Sequence, residues 1–193
     1  MSKPSELPTL PFASQADWAN WLKTQHDQSP GIWLKLAKKD SSIPSVTYDE
    51  AVDIALCYGW IDGQKKGLDN KYWLQKFTPR GPKSIWSKIN TEKVGRLIAS
   101  GQMKPAGLKA IEAAKVDGRW AQAYDSQKNM SVPEDFQSAL DKNKKAKAFF
   151  ATLNSVNRYA ILFRIHNAKK AETRAKWIEK LIKMLEENEK IHP

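Results

Sequence analysis

The sequence has a single cysteine, Cys57, among 193 residues. An internal disulfide and a cysteine-rich zinc cluster are therefore excluded. Histidine is nearly as scarce. His26, His166 and His192 fall in no His-x-x-x-His or Glu-x-x-His spacing, whereas zinc needs three or four converging ligands. No metal is expected, and His192, beside the C-terminus, reads as disordered. No apolar run reaches the roughly 18 residues of a membrane-spanning helix. Met1 to Phe12 holds one lysine, one glutamate and three prolines. It lacks the apolar core of a signal peptide, so the expected location is the cytoplasm. Gly-x-Gly-x-x-Gly, Gly-x-x-x-x-Gly-Lys-Ser/Thr and Gly-x-Ser-x-Gly are all missing. That removes the usual nucleotide loops and the nucleophile elbow, and no cofactor is expected. Cys57 sits on the apolar side of a predicted helix and reads as a small buried residue, not a thiolate.

What the sequence does have is positive charge. Thirty-two Lys and Arg against 21 Asp and Glu give +11. Residues 1–60 carry 5 basic and 7 acidic residues, net −2; residues 61–130 carry 14 and 6, net +8; residues 131–193 carry 13 and 8, net +5. A surplus this local attracts anionic partners: nucleic acid, phosphorylated metabolites or anionic lipid. It fits a solvated, lysine-rich surface equally well.

Hydrophobic spacing organises the chain as α+β. Residues 1–12 read as an extended tail. Ser14 caps a predicted helix over 15–27 with a tryptophan face. Residues 31–38 alternate, with Ile32, Leu34 and Leu36 on one face, and predict a strand. Thr47-x-x-Glu50 is a capping box for a helix over 48–58. Residues 60–66 and 71–77 predict a hairpin turning at 68–71. The expected sheet is small and antiparallel, with about three strands. Residues 78–82 read as a loop because two prolines and a glycine interrupt them. Ser87 or Asn90 starts the next helix, and Pro105 opens another over 105–116. Three further helices, after a short one from Pro133, make a helical C-terminal lobe; in the last, Ile178, Leu181, Ile182 and Leu185 face inward. The expected division is a tail (1–12), an α+β lobe with a helical extension (13–125) and a helical lobe (133–190).

The densest candidate site lies in 58–90. Residues 61–104 carry 10 basic and 3 acidic residues, interleaved with aromatics. Aromatics with cations between them can stack a base or sugar and hold a phosphate. The candidate ligand residues are Trp60, Asp62, Lys65, Arg80, Ser84, Trp86, Ser87 and Asn90. Arg80 offers a forked donor, and Ser87 and Asn90 lie near a helix start. The core is the competing place for Trp60, Trp73, Phe77 and Trp86, because large aromatics dominate burial in a small sheet. Asp62 is the one speculative catalytic residue; bonding to its own backbone in a turn is the simpler reading. A secondary anion site is expected from Arg158, Lys169, Thr173 and Arg174, because cations at a helix start are disfavoured unless an anion binds there.

Three stretches resemble the YdeI/OmpD-associated, or bacteriocin-protection, family. They are Gly31-Ile32-Trp33-Leu34-Lys35 through Gly59-Trp60-Ile61-Asp62-Gly63, Phe77-Thr78-Pro79-Arg80 through Trp86-Ser87-Lys88-Ile89-Asn90, and Ala168 to Arg174 with the helix after it. The resemblance spans about residues 12 to 188. It implies a non-enzymatic stress or envelope accessory protein that protects against bacteriocins or cationic antimicrobial peptides. It further implies association with an outer-membrane porin in a periplasmic setting, and supplies no catalytic residue or cofactor. The alternative from the residues themselves is a cytoplasmic binding module for an anionic ligand, nucleic acid or a nucleotide-like metabolite, at the basic-aromatic surface of 60–90.

Overall fold

The computed structural model describes residues 6–193. The chain forms two compact units. The first comprises residues up to Trp86 together with Asn90–Gln122; the second comprises Ser87–Ile89 and Ala123–Pro193.

The first unit is built on a four-stranded sheet: β1 (Thr9–Pro11), β2 (Ile32–Ala37), β3 (Trp60–Gly67) and β4 (Tyr72–Pro79), in the order β1-β2-β4-β3. The sheet has one strand more than the sequence predicts. β1 lies in the expected tail and pairs with β2 in parallel, so the sheet is not wholly antiparallel. Three residues ending in proline show no alternation, and an edge strand tolerates the missing N–H. β2–β4 and β3–β4 are antiparallel. β4 runs on through Thr78 and Pro79, which the sequence places in a loop. Proline is admissible there because it ends the strand, opposite Trp60.

The hairpin turn is held by Asp69, whose carboxylate accepts the N–H groups of Lys71 and Tyr72, each at 2.7 Å. A bulge follows Asp62 on β3. The buried Gln75 donates its amide to the Gly63 carbonyl there, at 2.8 Å, and so satisfies a group that the irregular ladder leaves over.

Helices α1 (Gln15–Gln25) and α2 (Tyr48–Cys57) belong to this unit. Ser14 caps α1 by accepting from the Asp17 N–H, and Thr47 and Glu50 form the predicted capping box on α2. Ile32, Leu34 and Leu36 from β2 join Phe77, Trp18, Leu22, Leu56 and Trp60 in the core. Trp18 and Trp60 bury without loss because their N–H groups have acceptors: Trp18 donates to the Ala51 carbonyl at 3.1 Å and Trp60 to the His26 carbonyl at 2.9 Å.

Helix α3 (Lys88–Ala99) starts in the second unit's residues and continues in the first unit's. Helix α4 (Pro105–Val116) opens on its proline, as predicted. Gly107, inside α4, lets it lie directly on the end of α2: a Cβ there would meet the Cys57 carbonyl at 2.4 Å and the Leu56 carbonyl at 2.7 Å.

The second unit is helical: α5 (Glu134–Lys142), α6 (Lys144–Thr152), α7 (Ser155–Asn167) and α8 (Ala171–Glu186). Its core is Phe136, Leu140, Phe150, Ile161, Ile165, Leu181 and Leu185, among others. Of the four residues predicted to face inward on α8, Leu181 and Leu185 are fully buried; Ile178 and Ile182 are half-buried. His192, read from sequence as disordered, is held. The buried Asn157 accepts its N–H at 2.9 Å and donates to its carbonyl at 3.2 Å.

Candidate cationic cleft

Arg80 follows β4, its N–H bonded to the Gly59 carbonyl at 2.9 Å. Residues 81–84 then turn tightly: the Ser84 hydroxyl accepts the Gly81 N–H, and the Ser84 N–H donates to the Gly81 carbonyl, both at 3.0 Å. This turn brings Trp86 back beneath Arg80. The guanidinium lies 3.4 Å from the Trp86 ring centroid and donates to the Ile85 carbonyl at 3.2 Å. Trp86, buried, packs in turn on Trp120 at 4.9 Å. A planar cation stacked on a fixed ring is preorganised, so little side-chain entropy remains to be lost on binding.

Arg119 joins from the end of α4's connection. It donates to the Ser84 carbonyl at 2.8 Å and forks onto Asp117, the closest approach being 2.7 Å. That ion pair holds the Asp117 carboxyl below its ordinary range. α4 supplies a smooth wall of Ala106, Ala110 and Ala113, with Lys109 beside them. Gly59 completes the floor in a left-handed conformation, φ +72°, where a Cβ would meet the Ala106 carbonyl at 2.9 Å. The result is an open cleft of about 280 Å³ lined by three cations, Arg80, Lys109 and Arg119, and by no carboxylate. Arg119 is balanced by Asp117, yet the lining itself carries cations and no carboxylate, and such a concavity favours an anion.

The other expected residues lie elsewhere. Trp60 fills the core against Trp18 and Trp21. Asp62 sits in β3 and not in a turn; its carboxylate accepts from the Tyr48 hydroxyl at 2.8 Å. Lys65 covers the Trp73 ring at 4.3 Å. Ser84 stabilises the turn beneath Arg80. Ser87 is buried, bridges to Tyr124 and belongs to the second unit. Asn90 is the third residue of α3 and so cannot be its cap. Lys109 and Arg119 were not read from the sequence. The spacing of Ala106, Lys109, Ala110 and Ala113 on one helical face is the signal that marks that wall.

The secondary anion group does not assemble. Arg174 forks onto Asp135 and donates to the Ile165 carbonyl. Arg158 lies over the Phe150 ring at 4.6 Å. Arg174 is thus anchored to α5 and α7, and Arg158 to α6, so the two guanidinium groups have separate partners. Lys169 and Thr173 are exposed. Cys57 is buried, and burial pushes its thiol up to about 11. Among the described residues, no three His, Cys, Asp or Glu side chains group as metal ligands, and no helix is long and apolar enough to cross a membrane.

Residues 10–110 match the family described as a domain of unknown function, DUF8412. That stretch is more than half of the sequence. The chain belongs to this family. Residues 129–188 match a second family, described as bacteriocin-protection, YdeI or OmpD-associated. This bears out the resemblance seen in the sequence and confines that match to the second unit. The Gly-Trp-Ile-Asp-Gly and Pro-Arg motifs fall within the first match. No curated protein and no solved structure matches the chain significantly.

Proposed function

We propose that the protein is a non-enzymatic accessory factor in protection against bacteriocins or cationic antimicrobial peptides, resident in the cytoplasm. The match of residues 129–188 carries this reading. The net charge of +11 constrains how such a factor works. Two polycations repel, so capturing the peptide directly is disfavoured. A basic protein acts on the anionic side, by occupying or altering a target that the peptide also needs. Direct association with the outer-membrane porin to which the family description points is incompatible with a cytoplasmic location and forms no part of this reading. The test is survival of a deletion strain under graded peptide, with the gene restored in parallel. Heightened sensitivity, reversed by the restored gene, is expected. Identical survival curves would refute the role. Fractionation of the untagged protein tests the location, and recovery with the periplasmic markers would overturn it.

The cleft favours a second, molecular reading: a binding module for a small anionic ligand. Its volume of about 280 Å³ lies at the lower end for small-molecule sites. It suits a phosphoryl or carboxylate headgroup of a metabolite better than a whole dinucleotide. Isothermal titration with inorganic phosphate and with AMP should show binding that weakens as salt rises. Lys109→Glu, at an exposed position, should abolish it. Binding of both probes unchanged in Lys109→Glu and Arg80→Glu would remove the cleft from consideration.

A further inference from the structure

A different surface of the first unit carries charge and aromatic rings together. On the sheet face opposite Ile32, Leu34 and Leu36, the register aligns Trp33, Lys35, Tyr72, Leu74, Lys76 and Lys66. We infer that this face is a platform for single-stranded nucleic acid.

Trp33 and Tyr72 are half-buried, and each ring is topped by an ammonium group. Lys66 Nζ lies 4.1 Å from the Trp33 centroid, and Lys35 Nζ lies 3.9 Å from that of Tyr72. Lys66 is opposite Leu74 on the central strand and reaches across to β2. Its stem therefore roofs Leu74, which is only 3% exposed although it belongs to this face. The surface has an apolar floor, two flat rings and cations above them.

A base can replace the ammonium on either ring while the ammonium moves to the neighbouring phosphate. Stacking and charge pairing are then gained together. None of the strand residues on this face is acidic. Trp33 lies opposite Lys76, and Tyr72 is four residues along β4, about 13 Å away. Duplex bases are stacked about 3.4 Å apart and shield their faces, so the platform fits an unstacked strand and not a duplex. This site is independent of the cleft at Arg80.

The test is fluorescence anisotropy of labelled oligo-dT and oligo-rU of about ten nucleotides, from about 50 to about 200 mM salt. Binding is expected with a slope of log K on log salt near about −2, since three lysines contribute about 0.7 each. Trp33→Ala and Tyr72→Ala should each weaken binding about tenfold or more. Lys66→Gln should flatten the slope by about 0.7. Lys180→Glu, in the second unit, should leave binding unchanged. If the aromatic variants unfold in a thermal melt, the Lys35→Gln, Lys66→Gln double variant decides the matter. The inference is overturned by no binding to either oligomer at the lowest salt, or by binding that ignores every face variant. Equal affinity for duplex DNA, heparin or anionic lipid vesicles overturns it too.

Discussion

Replacing Gly107 by alanine sets two effects of opposite sign against each other. Glycine inside a helix costs about 1 kcal/mol relative to alanine, so propensity alone predicts that Gly107→Ala stabilises. Packing predicts the reverse. The new Cβ would stand 2.4 Å from the Cys57 carbonyl, 2.5 Å from the Met103 sulfur and 2.7 Å from the Leu56 carbonyl. Methionine can move aside, but the two carbonyls end α2 and are fixed by the core beneath them. Overpacking of this kind costs about 1–3 kcal/mol, and backbone on two sides places this site at or above the upper end. The expected result is a net loss of about 2 kcal/mol. Gly95 in α3 is the matched control, since nothing lies within 4 Å of its Cβ position. Gly95→Ala should gain up to about 1 kcal/mol. Urea unfolding of both variants, followed by tryptophan fluorescence, separates the two effects. Equal stabilisation by both substitutions would refute the close approach of α4 to α2.

Thr47→Ala removes the side-chain half of the capping box on α2, leaving the bond from the residue-47 N–H to Glu50, and should cost about 1 kcal/mol in the same urea assay. The Cys57 thiol, buried and pushed up to about 11, should resist a disulfide reagent at pH 8 in native protein and react promptly once urea unfolds it. Asp135 is held below the ordinary carboxylate range by its hydrogen bonds and ion pair with Arg174. A depressed folded value means stability that is present above the unfolded value, about 3.9, and lost as pH falls through the folded one. Acid melts of wild type should therefore steepen below about pH 4, and Asp135→Asn should flatten that dependence; parallel acid curves would contradict the pairing.

Helices were legible wherever local chemistry marks their ends. Thr47 with Glu50, Ser14 and Pro105 announce α2, α1 and α4 because caps act over three or four residues. β1 was not legible, since three residues around prolines become a strand only when β2 lies alongside. Arg80 stood out because a guanidinium has no apolar role. Its companions Lys109 and Arg119 reach it only through the tight turn at 81–84 and the left-handed Gly59, neither of which a charge count reveals. Asp62 was misread because its partner, Tyr48, lies on a helix that precedes the strand. Arg174 looked like half of an anion site because the residue that neutralises it, Asp135, is 39 positions earlier. Caps and the antiparallel hairpin are legible in the sequence; side-chain pairs between distant elements, such as Tyr48 with Asp62 and Asp135 with Arg174, are not.

The clasp of Asn157 on the backbone of His192 has a consequence for synthesis. Asn157 leaves the ribosome well before His192 does, while folding proceeds from the N-terminal side. A buried carboxamide that serves both the N–H and the carbonyl of one late residue has to wait for it. During translation the helical unit therefore carries an unfinished polar pocket until residue 192 has emerged.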